Sequence, residues 1–216
     1  MPFFESKRPG KCILFFKFIQ KKGYGMPPSG KSLFWQKVTI VERKRMRKLA
    51  LSDEILMKVD KAARYIGGEV NSVMKDKNAV DIRFAMCFPD VYEIGMSNLG
   101  MMILYNMFNQ REDVWCERLF SPWPDLDKVM REEKIPLFAL ESQEPIRDFD
   151  FLGITIGYEM CYTNILQVLD LSGIPLKSAD RGEDFPIVIG GGACAYNPEP
   201  LAPFFDMFYI GEGETV

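Results

Sequence analysis

The sequence predicts an α/β fold, namely a doubly wound and mostly parallel sheet of about five strands with helices on both faces. Three observations lead to this class. From Val80 onward, short apolar runs alternate with amphipathic segments, as strands alternate with helices in such sheets. Glycines follow several of the runs. The chain of 216 residues is 47% hydrophobic, which is enough apolar material to build a core.

The first strand is predicted in VDIRFAMCF (80–88), and Pro89 and Asp90 end it. A helix is predicted over SNLGMMILYNMFNQR (97–111), with Ser97 as its N-cap. The helical period places four apolar side chains on one face, the arrangement by which a helix packs on a core. These side chains are Leu99, Met102, Ile103 and Met107.

The middle of the chain continues the alternation. VWCERLF (114–120) is predicted as a strand, and PDLDKVMREEK (124–134) as a helix with proline in its first turn and acids ahead of bases. IPLFAL (135–140) is interpreted as the third apolar run. FDFLGITIGYE (149–159) is the fourth, and it is too apolar to be an edge strand.

The last third contains a helix and two glycine-terminated runs. CYTNILQVLDLSG (161–173) is predicted as a helix that Gly173 closes. PIVIGGG (186–192) and FFDMFYIGEGE (204–214) each place glycine where a strand turns into the next segment. Ligands of parallel sheets bind beyond the carboxyl ends of the strands, which is where these glycines fall.

The candidate cofactor site therefore consists of Thr155 and Tyr158, which follow the fourth run, and Gly191 and Gly192, which follow the fifth. Paired glycines let a ligand approach the backbone, and threonine offers an uncharged hydroxyl. Further polar side chains follow the same strand ends: Asp90, Tyr92, Glu93 and Glu159. Two alternatives stay open, because the glycines can serve only a tight turn and Tyr158 can belong to an ordinary loop.

Several kinds of catalytic site are excluded. The chain has no histidine, so it lacks the commonest general base, a Ser/His/Asp triad and any histidine ligand to a metal. Gly95 and Gly100 have phosphate-loop spacing, but methionines follow where that loop requires lysine and a hydroxyl residue. GEGE (211–214) supplies only the first two glycines of a dinucleotide fingerprint. No three of the five cysteines have a zinc, redox or iron-sulfur spacing, so we predict no catalytic residue and no metal site in this chain alone.

Charge divides the chain into unlike parts. Residues 1–50 hold 13 of the 27 lysines and arginines against two glutamates, a net charge of +11, while the remainder carries −14. We predict a basic, poorly ordered extension at 1–50, a lead-in segment at 51–79 and the α/β domain at 80–216. The alternative is that the basic segment binds nucleic acid or an acidic membrane surface. With no apolar stretch long enough for a membrane span and no signal-peptide pattern, we expect a cytoplasmic protein.

From about residue 57 onward, the chain resembles a family of radical S-adenosylmethionine (radical SAM) proteins, in the amino-terminal region that includes a cobalamin-binding-like, Rossmann-like domain. The stretches that carry the resemblance are KAARYIGGEVNSV, RFAMCFPDVYEIGMSNLGMMILY, CERLFSPWPD, PLFALES, YTNILQVLDLSGIPL and IVIGGGACAYNPEPLAPFFDMFYIGEGE. The last is the most specific, although Ala193 stands where the family more often has proline.

The resemblance implies that GEGE leads into a barrel whose CxxxCxxC motif holds a [4Fe-4S] cluster, which cleaves S-adenosylmethionine to a radical. That motif is not in this sequence, so the cluster and S-adenosylmethionine are expected only in the full-length family. Cobalamin domains of the histidine-ligating kind carry a DxHxxG loop after the first strand, where this chain reads PDVYEIG. If cobalamin binds here, it is expected to bind without axial histidine, through Thr155, Tyr158, Gly191 and Gly192.

Two functional hypotheses follow. In the first, the chain is the accessory amino-terminal domain of a radical SAM iron-sulfur enzyme, which holds a cofactor or caps the barrel, present here as a fragment without that barrel. In the second, it is a free-standing, non-catalytic binding module that uses its basic arm for RNA or an acidic surface. The nucleotide sequence after the Val216 codon distinguishes them, since a continuing frame with CxxxCxxC supports the first.

Overall fold

The computed structural model of the protein describes residues 49–213. Nearly all of the basic segment predicted at 1–50, and residues 214–216 at the other end, lie outside the described residues. None of the helices between residues 49 and 213 has the length and apolar composition needed to cross a bilayer.

A parallel sheet forms the centre of the fold and confirms the predicted class. Its five strands are β1 (Ile82–Phe88), β2 (Val114–Phe120), β3 (Phe151–Thr155), β4 (Ile187–Gly191) and β5 (Met207–Phe208). They lie in the order β2-β1-β3-β4-β5, so β3 is an interior strand, as its apolar sequence predicts.

Helices connect the strands. They are α1 (Asp53–Leu56), α2 (Ala63–Ile66), α3 (Tyr92–Met96), α4 (Leu99–Asn109), α5 (Pro124–Glu133) and α6 (Tyr162–Leu171). Short 3-10 helices lie at Ile146–Asp148, Glu159–Cys161, Ser178–Asp180, Ala193–Tyr196 and Glu199–Phe204. As predicted, α5 opens with proline and α6 is closed by Gly173, whose φ of 65° is a left-handed conformation that suits glycine.

The predictions for α4 were wrong in two details. Its N-cap is Asn98, whose side chain accepts a hydrogen bond from the Met101 N–H at 2.9 Å, whereas the Ser97 hydroxyl donates backward to the Ile94 carbonyl. The buried residues of α4 are Met101 and Tyr105, neither of which was assigned to the predicted apolar face. Leu99, which was assigned to that face, is 72% exposed. Periodicity locates an apolar stripe, but the packing on β1 and β2 selects which stripe faces the sheet.

The apolar run 135–140, which was counted third in the predicted series of strands and helices, is not a strand of the sheet, so counting it with the strands was wrong. The Leu137 N–H donates to the Leu171 carbonyl at the end of α6, and the only bridge in this run joins Phe138 to Pro145 in an antiparallel turn. The run is apolar because it is buried against α6 and the sheet, and Leu137 and Phe138 are each less than a tenth exposed.

Two apolar layers cover the sheet. On one face, Ala85, Leu152 and Val188 pack with α5 and α6; on the other, Phe84 and Phe151 pack with α4. Successive strand residues alternate between these layers, so both sides of every long strand are buried.

The outer edge of β2 is closed mainly by side chains in place of a sixth strand, together with one backbone hydrogen bond from the Leu140 N–H to the Arg118 carbonyl at 2.8 Å. The Asn109 amide accepts the Cys116 N–H at 3.0 Å and donates to the Cys116 carbonyl at 2.9 Å, and Lys75 donates to the Val114 carbonyl. At Arg118, two residues after Cys116, the backbone N–H donates to the Glu141 carboxylate at 2.6 Å. These bonds satisfy backbone groups that would otherwise be open to pairing with another chain.

A buried ion pair lies at this edge. Arg118 donates from Nε to Glu141 at 2.6 Å and from Nη2 to Glu69 of the lead-in segment at 2.8 Å. The Arg118 side chain is 2% exposed and that of Glu141 is 0% exposed. Burial raises the pKa of the Glu141 carboxyl, and the charge of Arg118 opposes this shift. The lead-in segment is thereby attached to the α/β domain.

We predict that Glu141→Gln lowers the free energy of unfolding by about 3 to 5 kcal/mol, because it leaves the buried Arg118 charge without its closest partner. Arg131→Gln is the matched control, since the 48% exposed Arg131 side chain pairs with Asp127 and Asp170 at the surface. Each of these surface ion pairs should contribute less than about 1 kcal/mol to the free energy of unfolding. Urea unfolding of both variants measures the two changes in the free energy of unfolding. Equal decreases would contradict the expectation that the buried pair stabilises the fold more than the surface pairs do.

Candidate functional site

The strand order creates one topological switch point. The chain passes from β1 to β2 on one side and then returns to β3 on the other side of β1. In open parallel sheets this divergence leaves a crevice beyond the carboxyl ends of the two strands. The segments that border it are residues 89–91 after β1 and 156–158 after β3.

A hydrogen bond crosses this crevice. The Tyr158 hydroxyl donates to the Asp90 carboxylate, and that bond raises the pKa of Tyr158 to about 12. The Asn164 amide of α6 donates to the Pro89 carbonyl at 3.0 Å, which ties the same two sides together. Tyr158 is 39% exposed, so it remains a neutral donor at the surface of the crevice.

Thr155 and Gly191 are brought together by the sheet. They are register partners at the carboxyl ends of β3 and β4, and the Ile156 N–H donates to the Gly191 carbonyl at 2.6 Å. A Cβ built on Gly191 would meet only the Tyr209 carbonyl, at 3.9 Å, among the described residues. The backbone of Gly191 therefore borders open space that a ligand can approach.

Gly192 has a different role in the fold. Its φ is 104°, and a Cβ there would lie 2.9 Å from the Ile156 carbonyl oxygen. The Cys194 N–H donates to that same carbonyl at 3.0 Å. The chain itself occupies the space beside Gly192, so the turn requires glycine whether or not a ligand binds.

Tyr92 and Glu93 face away from the crevice and bind the lead-in segment. The Tyr92 hydroxyl donates to Glu69 at 2.7 Å. Glu93 accepts from Arg64 and Lys61, and the hydrogen bond from Arg64 lowers the pKa of Glu93 to about 2. These contacts hold α3 at the carboxyl end of the sheet.

Sequence reasoning did not identify Gly157, which has no heavy atom of the described chain within 4 Å of a built Cβ. It lies between Thr155 and Tyr158, so the open backbone on the β3 side of the crevice includes it. Its position directly after a buried run was the available signal, but a single glycine in GITIGYE is easily interpreted as a turn.

Large apolar side chains are exposed at the carboxyl end of the sheet. Each follows a different part of it: Ile94 (47% exposed) after β1, Met160 (85%) after β3, Tyr196 (71%) after β4 and Ile210 (54%) after β5. Because the carboxyl ends of parallel strands meet at one end of the sheet, these four side chains are exposed on the segments that leave that end.

Three buried cysteines lie within the domain, namely Cys87, Cys116 and Cys161. Burial raises the pKa of the Cys161 thiol, whose sulfur donates to the Tyr158 carbonyl at 2.8 Å. Between residues 49 and 213, no three histidine, cysteine or acidic side chains are grouped so that they could hold a metal ion. The three buried cysteines pack in the apolar layers on the two faces of the sheet.

Comparison with known proteins gives a family match. The family described as radical SAM proteins, N-terminal, matches residues 100–216, which is more than half of the chain. An uncharacterized protein of Methanocaldococcus jannaschii is 26% identical over 131 residues, an alignment that covers 60% of this chain and 24% of that protein. The alignment thus spans about a quarter of that relative's length.

The glycine geometry leads to a prediction. Gly192→Ala should lower the free energy of unfolding by about 1 to 3 kcal/mol, because it combines positive φ with contact against the Ile156 backbone. Gly191→Ala should change it by less than about 0.5 kcal/mol, since the space there is open. Urea denaturation compares the two adjacent substitutions, and the interpretation fails if Gly191→Ala is as destabilising as Gly192→Ala.

Proposed function

The chain belongs to the family of radical SAM proteins, through their N-terminal region, and on this premise we propose that it serves as an accessory domain that caps the radical SAM barrel. The barrel would contact the carboxyl end of the sheet. The cluster and S-adenosylmethionine, held by that barrel, would supply the radical chemistry, while this domain would cover the reacting space and exclude water.

The exposed apolar group formed by Ile94, Met160, Tyr196 and Ile210 carries this proposal. Both faces of the sheet are already covered, and the outer edge of β2 is closed by side chains. The carboxyl end combines exposed apolar side chains that follow four different strands with open backbone at Gly157 and Gly191. Burying this apolar area against a partner would be favourable.

The choice of partner rests on the family. The relative from Methanocaldococcus jannaschii has about three quarters of its length beyond the aligned part, so a related domain is accompanied there by much more chain. We propose a CxxxCxxC barrel as the partner here, either later in the same polypeptide or as a separate product.

We predict that Met160 becomes protected when the barrel is present. With hydrogen peroxide, sulfoxide forms quickly at Met160 in the chain alone and at least about tenfold more slowly after the barrel from the same organism is fused or added. Met74 is the internal control, because Val73 and Lys75 on either side of it bond to Trp115 and Val114 near the amino end of β2. Mass spectrometry of the peptides measures both rates.

A variant pair sharpens this test. Met160→Glu combined with Tyr196→Glu should weaken association with the barrel, because it places charge in the apolar contact, while Met74→Glu should not. Equal oxidation of Met160 with and without the barrel would contradict the cap and favour a free-standing binding module.

The open backbone supports a second candidate, a corrinoid held at the same end of the sheet. Gly157 and Gly191 expose backbone on the two sides of Thr155, whose hydroxyl is uncharged, and Tyr158 lies beside them. Gly192 would contribute through the turn it makes and not through direct contact. These 216 residues contain no histidine, so they would supply no imidazole to cobalt, and their contacts would be to the corrin rim.

Titration with hydroxocobalamin tests this candidate. We expect retention of corrinoid on a desalting column at tens of micromolar ligand, and loss of retention in Gly191→Leu, whose side chain would fill the open space beside the strand. Gly191→Ala is the control for folding and should keep most of the binding, since it adds one methyl group. Absence of retained corrinoid in the parent chain would leave only the cap.

A further inference from the structure

The outer face of α4 is apolar and, between residues 49 and 213, largely uncovered. Met101 and Tyr105 of this helix are buried against the sheet, whereas Leu99 is 72% exposed and Ile103 is 38% exposed. Together with the half-buried Met107, these two side chains recur every four residues, which places all three on one side of the helix. We call Leu99, Ile103 and Met107 the outer stripe of α4.

The composition of α4 differs from that of an ordinary surface helix, which carries charged residues on the side that faces water. In the same domain, α5 buries Leu126 and Met130 and has charged side chains at six of its ten positions. The sequence of α4, LGMMILYNMFN, contains no charged residue. A helix that is apolar all round is usually packed on more than one side, so α4 lacks a second packing partner in the described part of the chain.

The described chain ends beside this helix. β5 lies at the edge of the sheet farthest from β2, yet a Cβ built on Gly213, five residues after β5, would lie 3.0 Å from the Leu104 side chain of α4. Leu104 adjoins the outer stripe, because it follows Ile103 directly and lies one helical turn before Met107. The residues that follow Gly213 therefore leave the domain from a point next to the outer stripe.

Two other occupants of the outer stripe fit less well. Leu51, two residues after the described chain begins, packs in the apolar layer with α5 and α6, on the face of the sheet opposite α4. The described chain thus begins on the far side of the sheet from the stripe. A second copy would need roughly 800 Å² of contact per partner, which is more than three side chains provide, whereas a segment of the same polypeptide is held nearby by its covalent link.

The stripe also indicates the conformation of its partner. Backbone groups of α4 are bonded within the helix, so the stripe offers side chains and no backbone groups to another segment. A segment buried against it must satisfy its own N–H and C=O groups, which an α-helix does and a single extended strand does not. Apolar side chains spaced three and four residues apart on such a helix would pack between those of the stripe.

We propose that the outer stripe of α4 binds an amphipathic helix in the segment that follows Gly213 and connects this domain to the radical SAM barrel. This contact depends on the proposed function, because that function supplies the barrel, but it is separate from the contact at the carboxyl end of the sheet. The helix, called the joining helix below, turns its apolar side toward the stripe and its charged side toward water. It gives α4 a packing partner on each side.

Alkylation of an introduced thiol measures whether the stripe is covered. Leu99→Cys places the thiol at the most exposed position of the stripe. Leu176→Cys is the matched control, because Leu176 is also an exposed apolar residue, at 39%, but lies between α6 and β4 on the amino side of that strand. Each variant is made in three proteins: the 216-residue chain, the chain extended through the joining helix but not to CxxxCxxC, and the chain fused to the barrel.

With iodoacetamide, both longer proteins should be alkylated at position 99 at least about tenfold more slowly than the 216-residue chain, because the joining helix covers that side chain. The rate at position 176 should be the same in all three. Mass spectrometry of the peptides measures both rates. Equal rates at position 99 in the three proteins would overturn the proposal, and so would a reading frame that stops after Val216.

Oxidation of Met160 in the same fused protein separates this contact from the cap. If Met160 is protected and position 99 is not, the cap stands and the joining helix does not bind α4. If position 99 is protected and Met160 is not, the joining helix stands and the cap fails. Protection of position 99 in the 216-residue chain itself would overturn the proposal: a dependence on protein concentration would assign the stripe to a second copy, and release on deletion of residues 1–48 would assign it to those residues.

A charge in the stripe tests the apolar character of the contact. Combined with Leu99→Cys in the extended chain, Ile103→Glu should return alkylation at position 99 to within about twofold of the rate in the 216-residue chain, because a carboxylate is costly to bury. Leu176→Glu is the matched control and should leave position 99 protected. Circular dichroism melting of the 216-residue variants checks that both remain folded. Protection that survives Ile103→Glu would overturn the assignment to the outer stripe.

Discussion

Arg118 and Glu141 are buried as an ion pair at the outer edge of β2, where neither charge reaches water. Such a pair is tolerated only when its remaining hydrogen-bonding groups are also satisfied. Glu69 from the lead-in segment accepts a second hydrogen bond from the Arg118 guanidinium, and the Arg118 N–H donates to the second oxygen of the Glu141 carboxylate. The lead-in segment, β2 and the segment around Glu141 must therefore assemble together. Together with Asn109 and Lys75, the pair closes an edge that would otherwise offer open backbone groups.

Closure of that edge directs function to the carboxyl end of the sheet. Helices and loops cover both faces, while exposed apolar side chains and the open backbone of Gly157 and Gly191 are found beyond the strand ends. The same end carries the Asp90 to Tyr158 contact across the switch point. The family match covers residues 100–216, which include the β3 side of this end of the sheet.

The stretches that carried the family resemblance have a physical role in the fold. CERLF contains Arg118, and PLFALES contains Glu141, so these two motifs supply the halves of the buried ion pair. IVIGGG contains Gly192, whose conformation the turn after β4 requires. The sequence therefore supported the correct family, which the match to residues 100–216 confirms, while the pairing of these charges was not visible in it. Arg118 and Glu141 are far apart in the chain, and nothing in the local pattern relates them.

The sequence by itself determined the parallel α/β class, the four longer strands β1 to β4, and the ends of α5 and α6. Alternating apolar runs, proline and glycine act through local backbone preferences, so these features can be recognised without the tertiary structure. Tertiary structure alone decided that α4 packs through Met101 and Tyr105 rather than through Leu99, and that the run 135–140 is buried as a turn and not as a strand. It also distinguished Gly191, beside open space, from Gly192, against the Ile156 backbone. Those outcomes depend on which part of the folded chain each residue contacts. The free energy of burial and of backbone contact is set by these contacts, which join residues far apart in the sequence, so the local sequence does not reveal them.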